Sequence, residues 1–195
     1  MRTLTFIFFV FSGTLPALAQ QFDSNPEIIL IDVDCSESKE ILDEVLEIDQ
    51  ANRADVTKID AGVDHENQVL VVSLIEKCGW PQKATVGERG MSAVFLVIQH
   101  ASKDLREKYF PLIKASAEKG ELSLRSVAMM EDRMLMENGK HQKYGTQLIS
   151  HNNGPLQLHP IADEANVNKR RAAMSMEPIE DYLKHFGLEY KPKEP

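Results

Sequence analysis

Apolar and polar positions along this chain recur mainly with the spacing of an amphipathic helix. Ile41, Leu42, Val45, Leu46 and Ile48 fall on one helical face, with Asp34 and Glu37 in capping-box spacing ahead of them and an end near Arg53. Asp64 is placed to cap a second helix, whose apolar stripe runs from Val69 to Ile75. Gly79 suits the left-handed position after it, Trp80 packs back and Pro81 stops it. A loop is expected up to Gly90. Met91 to Ile98 is apolar nearly all round, which predicts a central buried helix or a buried strand.

Ser102 caps the next helix and Gly120 closes it, with Pro111 expected to kink or split it. Ser123 opens a further helix that ends at Gly139. The pattern then changes. Tyr144, Thr146 and Leu148, then Leu156 and Leu158, flank Asn152-Asn153-Gly154, a hairpin signal with a tight loop. Short helices are expected near Val167 to Met174 and from Pro178 to Phe186. The fold class is mainly α: a bundle of about five or six helices around the Met91–Ile98 segment, with one small β-hairpin at an edge.

The first residues stand apart. Arg2 precedes an apolar run from Leu4 to Leu18, and small residues occupy Ala17 and Ala19. This is the pattern of a cleavable signal peptide over residues 1–19, with Gln20 the first mature residue. The run is short for a bilayer span and contains Gly13 and Pro16. Residues 20–34 form a leader, in which Ile28 to Ile31 reads as a short strand or a helical extension. A single helical domain covers 35–188, and a disordered tail 189–195. The address is secreted or periplasmic, with no membrane span after cleavage.

Composition narrows the partners. A formal net charge of −8 argues against a nucleic-acid partner, which needs a cationic face. The triplet Lys169-Arg170-Arg171 is too short to reverse that balance. An unknown small molecule or an envelope protein remains as partner. The two cysteines, Cys35 and Cys78, lie at the start of one expected helix and the end of the next. In an antiparallel helical hairpin those ends are adjacent, so a disulfide is expected.

Several short strings, taken in order, resemble a bacterial domain-of-unknown-function family, number 6624. They are Asp49-Gln50-Ala51-Asn52-Arg53, Gly79-Trp80-Pro81, Val86-Gly87, Gln99-His100-Ala101, Asp132-Arg133 and Gln142-Lys143-Tyr144-Gly145-Thr146-Gln147. Asn168-Lys169-Arg170-Arg171 and Glu177-Pro178-Ile179-Glu180 complete the series. The resemblance runs from about Ile41 to the last helix and leaves the leader before Asp34 outside. It implies membership without an activity, a cofactor or a substrate.

The candidate chemistry comes from polar residues in apolar settings. His100, Asp132, Arg133, Tyr144 and Gln147 must be paired if buried, and one economical solution brings them together. In a functional pocket His100 is the acid/base group, Asp132 orients it and Arg133 holds an anionic substrate group. The alternative is a hydrogen-bond network that only specifies the fold. Asp49, Asn52 and Arg53 form a second cluster, read as solvated helix surface with one ion pair.

No metal or cofactor is expected. The six histidines form no His-x-x-x-His pair. His151 and His159 flank the hairpin turn and would face opposite sides unless its loop is odd in length. There is no Gly-x-Ser-x-Gly elbow, and Gly87-Glu88-Arg89-Gly90 is too sparse for a phosphate loop. Two function classes stand: an exported hydrolase or transferase using the His/Asp/Arg pocket, and a non-catalytic binding module of the cell envelope. An open cleft at His100 favours the first, and a sealed network with an exposed apolar patch elsewhere favours the second.

Overall fold

The computed structural model describes residues 27–55, 57–150 and 154–190. The expected signal peptide over residues 1–19, Gln20, the expected hairpin tip at Asn152-Asn153, His151 and residues 191–195 lie outside the described residues. Seven α-helices are present among those described: α1 (Ser38–Asn52), α2 (Ala61–Cys78), α3 (Lys83–His100), α4 (Lys103–Glu118), α5 (Leu124–Glu137), α6 (Val167–Ala173) and α7 (Ile179–Lys184). Two short antiparallel strands, β1 (Leu148–Ile149) and β2 (Gln157–Leu158), form the hairpin. The fold is mainly α with one small β-hairpin.

Helices α1 to α5 share one core. Leu42 and Val45 of α1, Val71 and Leu74 of α2, Met91, Val94 and Ile98 of α3, Tyr109 and Ile113 of α4, and Met130 of α5 are all almost fully buried. The Met91–Ile98 segment is its centre, as its all-round apolar character requires. Gly90 leaves room for Val86 within the kinked α3, since a Cβ there would lie 2.6 Å from the Val86 Cβ, while Leu42 of α1 lies across from it at an ordinary contact distance of 3.5 Å. A second, smaller cluster holds Ile161, Val167, Ile179, Tyr182 and Leu183, with Leu148, Leu158, Leu188 and Tyr190 packed on it.

Several boundaries differ from the sequence expectation, each for a local reason. Asp34 accepts from Ser36 N–H and caps a 3-10 turn, Cys35–Glu37, so α1 proper begins one turn later. The N-cap of α2 is Asp60, whose carboxylate accepts from Gly62 N–H; Asp64 lies inside the helix and is free for other partners. The expected loop before Gly90 is helical from Lys83, and Gly87 absorbs a kink within α3 at φ +70°. Pro111 does not split α4, which runs through it from Lys103 to Glu118; both Pro111 and Glu107, whose carbonyl loses its i+4 donor, are exposed. In the hairpin, Leu148 pairs with Leu158 and Ile149 with Gln157. The strands are therefore joined by residues 150–156, not by a two-residue turn. That loop is odd in length, so the parity argument against a shared His151–His159 face does not apply. Among the described residues no group of three His, Cys, Asp or Glu side chains could hold a metal ion, and His159 Nε2 lies 3.0 Å from the Lys140 carbonyl.

Cys35 and Cys78 form a disulfide with a Cα separation of 5.7 Å, closing the α1–α2 hairpin. Part of the leader is ordered along α2. The Ile31 N–H donates to Ser73 Oγ at 3.0 Å, and Lys77 bonds both Asp32 and the Val33 carbonyl. This strap is neither strand nor helix, and it leaves Ile29, Leu30 and Ile31 exposed at 72%, 54% and 46%. Among the described residues no helix is long and apolar enough to cross a membrane.

Candidate functional site

Helix direction gathers charge at one end of the bundle. Leu42 lies against Gly90 and Asp49 against His100, so α1 and α3 run side by side and finish together. Asn52 ties the end of α1 to the start of α2: it donates to the Asp60 carbonyl and to Asp64 Oδ1, and accepts from Asp60 N–H. Arg106 near the start of α4 meets Glu137 at the end of α5.

The centre of this end is Asp49. It occupies a position on the stripe that buries Leu42 and Val45, and is itself 1% exposed. His100 Nδ1 lies 3.2 Å and Arg53 Nη1 2.8 Å from the same oxygen, Asp49 Oδ1, while Gln50 donates to Oδ2 at 3.0 Å. Burial pushes this carboxyl up, but the hydrogen bond from His100 and the electrostatic pull of that ring and of Arg53 outweigh it and hold it below the ordinary aspartate range. An ionised Asp49 accepts, so the His100 ring donates from Nδ1 and presents Nε2 as its free nitrogen. No protein group among the described residues bonds that nitrogen. The remaining fork of Arg53 reaches Asp64 Oδ2 at 2.9 Å.

Arg106 and Arg133 complete the cluster. Arg106 is 4% exposed and satisfies the last carbonyls of α3, those of Gln99 and Ala101, before pairing with Glu137 Oε2. Arg133 is held only through Nε, 3.4 Å from Glu137 Oε1, and its terminal nitrogens have no bonded partner among the described residues. Burial, then the like charges of Arg106 and of Arg53, depress its guanidinium pKa against the opposing pull of Glu137. Three buried polar atoms here lack hydrogen bonds: Gln99 Oε1, Arg106 Nε and Arg133 Nε.

Asp132, the neighbour of Arg133, points elsewhere. Its carboxylate is 0% exposed and accepts from Lys143 N–H at 2.6 Å, from Tyr144 N–H at 3.1 Å, and from Thr146 N–H at 3.0 Å and hydroxyl at 2.9 Å. Burial pushes this carboxyl up, opposed by those donors. Gln147 Nε2 donates to the Met129 carbonyl and to Thr146 Oγ1, and the Tyr144 hydroxyl donates to Glu131 at 3.2 Å. Burial, then the charge and hydrogen bond of Glu131, push the Tyr144 hydroxyl up to about 12. Gln142 and Arg171, both 0% exposed, finish the frame: Gln142 bonds the backbone at Gln147 and His159, and Arg171 bonds the Tyr144 and Glu177 carbonyls.

The five expected site residues therefore divide. His100 and Arg133 face the helix-end cluster, while Asp132, Tyr144 and Gln147 belong to a loop-holding network that shares no hydrogen bond or ion pair with His100. The expected Asp132–His100 pairing is absent, because the loop amides saturate Asp132, and Asp49 takes its place. The Asp49–Arg53 segment, read from sequence as solvated surface, instead supplies the buried carboxylate and the guanidinium at the centre of the helix-end cluster. Its signal was present: Asp49 continues the three- and four-residue spacing of Leu42 and Val45. Arg106 likewise precedes Tyr109 and Ile113 on the buried stripe of α4.

No curated protein and no solved structure matches the chain. A family model does match, over residues 30–193, which takes in the end of the leader as well as the whole helical region. The chain belongs to that family, described as a family of unknown function (DUF6624).

Proposed function

We propose that the protein is an exported enzyme, a hydrolase or transferase, in which His100 exchanges a proton with a bound substrate. Asp49 orients the ring and Arg133 holds an anionic group of the substrate. One observation carries this reading: His100 Nδ1 is bound to a buried, ionised carboxylate, while its Nε2 and the terminal nitrogens of Arg133 have no protein partner among the described residues. A base oriented by a third group, in one charge cluster with an unspent planar cation, is the minimum apparatus for general acid–base work on an anion. Asp132, Tyr144 and Gln147 act in this reading as the frame that fixes α5, and through it Arg133.

Export is part of the proposal, supported by the signal pattern ahead of Gln20 and by a disulfide, which suits an oxidising compartment. Mass spectrometry of protein recovered outside the cytoplasm should find Gln20 first; a retained Met1 overturns that step. For activity, turnover is screened on ester, amide and phosphoester libraries with the wild type and with His100→Ala. Turnover lost in a variant whose thermal midpoint is unchanged supports the enzyme reading. Turnover retained in His100→Ala overturns it.

A non-catalytic envelope-binding module is the second reading, favoured by three consecutive exposed aliphatic side chains, Ile29 to Ile31, on a strap pinned beside the disulfide. Partner capture abolished by Ile29→Ser and Leu30→Ser, yet indifferent to His100→Ala, favours that reading.

A further inference from the structure

We propose, resting on the reading of His100 and Arg133 above, that the ligand group taken at this site is a single carboxylate and that its binding takes up one proton at His100. On one side of the cluster His100 pairs with Asp49 of α1, which pairs with Arg53 at the end of α1, which in turn reaches Asp64 of α2; on the other, Arg106 of α4 bonds the carbonyls on either side of His100 and shares Glu137 of α5 with Arg133. Three carboxylates thus balance three guanidiniums. Arg53 is spent on Asp49 and Asp64. Arg106 is spent on Glu137 and on the carbonyls that end α3. Arg133 alone has its terminal fork unspent, and the charges of Arg106 and Arg53 beside it raise the gain from an added anion.

A planar fork matches the two oxygens of one carboxylate. Adding one negative charge to a balanced, half-buried cluster leaves one charge uncompensated, and a single proton on His100 Nε2 restores neutrality. A phosphomonoester dianion would leave two, with one group to answer them. Uncompensated charge in such a setting is costly, so the site discriminates by charge count as well as by shape. The proton comes from solvent, adds to the Nε2 lone pair and leaves with the ligand. No bond to the carboxylate is made or broken. An anion beside an imidazole favours its protonated form, so affinity falls as pH rises through the range in which histidine titrates.

Titration of the full chain with acetate, followed by NMR of the histidine rings between about pH 5.5 and 8.5, tests this. His100→Gln assigns the His100 signal. Expected results are a saturable shift of that signal, a raised His100 titration midpoint when acetate is bound, and acetate affinity about ten-fold weaker in Arg133→Gln. Phenyl phosphate, a dianion at the upper end of the range, should bind about ten-fold more weakly than acetate. N-acetyl-dialanine and its C-terminal amide form the second arm: binding of the acid alone places a peptide C-terminus among the ligands, and acetate binding without it restricts the site to small free acids. Preference for phenyl phosphate, or acetate binding with no change in the His100 midpoint, overturns the carboxylate assignment and leaves the acid/base reading standing. An unmoved His100 signal with every anion, in wild-type protein that is folded by its amide spectrum, overturns this proposal; whether the acid/base reading falls too is decided separately by the turnover of His100→Ala.

Discussion

His100 Nδ1 and Asp49 Oδ1 stand 3.2 Å apart although fifty-one positions separate them in the chain. The contact joins the ends of two helices whose apolar faces share one core. It places a titratable ring between a buried carboxylate on one side and an unbonded nitrogen on the other. Asp49 receives Arg53 on the same oxygen at 2.8 Å, so neither charge at the base of the site is unpaired.

Asp49→Asn should therefore cost about 3 kcal/mol at neutral pH, because it keeps an accepting oxygen but removes the negative charge that Arg53 and His100 share. The loss should depend on pH in a definite sense. The folded carboxyl titrates below the unfolded value of about 3.9, so its contribution is complete above that pH and disappears as pH falls through the folded value. Thermal midpoints of wild type and variant should differ at pH 6 to 7 and converge as pH falls through the folded value. Differential scanning calorimetry across that range checks it; a gap that persists at low pH contradicts it.

Asp132→Asn and Arg133→Gln should separate stability from site chemistry, although the two residues are neighbours. Asp132 satisfies three backbone N–H groups and one hydroxyl with no exposure, so the amide, which brings its own donors, should cost about 2 to 4 kcal/mol. The Arg133 side chain is 33% exposed with one long ion pair, so its loss should change stability by less than about 1 kcal/mol while weakening anion binding. Chemical denaturation and anion titration on both variants decide this; matching phenotypes would show that the residues act as one unit.

Reduction of the Cys35–Cys78 bridge should lower the thermal midpoint by about 10 °C. The bridge closes a loop spanning 43 residues, which the chain-entropy account values at about 4 kcal/mol. Cys35→Ser/Cys78→Ser should behave as the reduced protein does, and a reductant should then have no effect on it.

Gly145→Ala should be among the most damaging single-methyl changes. Gly145 has φ +74°, and a Cβ would meet Ile179 Cδ1 at 2.4 Å and Ile161 Cδ1 at 2.9 Å. Backbone strain and overpacking act together, for a cost of about 2 to 4 kcal/mol in denaturant unfolding. Gly139→Ala, also at positive φ but with nothing within 4 Å of the added atom, should cost only about 1 kcal/mol.

Local pattern alone was enough for the helices, because an apolar stripe with a cap at one end and a glycine at the other is written in consecutive residues. Ser102, Ser123, Gly79 and Gly120 do at α4, α5 and the ends of α2 and α4 what their types predict. The disulfide was legible for the same reason, since two antiparallel helices bring Cys35 and Cys78 together whatever else packs on them. Boundaries failed where two residues could serve one role. The cap of α2 was expected at Asp64; the path of the chain from α1 gives it to Asp60, one turn earlier, and leaves Asp64 for Arg53. The site itself was decided by tertiary structure. The sequence pattern pointed to Asp132 as the partner of His100 and to Asp49 as helix surface, because residue type and helix position say which way a side chain leaves its own helix but not which helix it meets. The parallel packing of α1 on α3 brought Asp49 to His100, and the loop from Lys143 to Thr146 claimed Asp132 with backbone donors that no side-chain pattern announces. Long-range pairing depends on how whole helices are stacked, and that is settled by burying their apolar faces, not by the polar residues that become neighbours as a result.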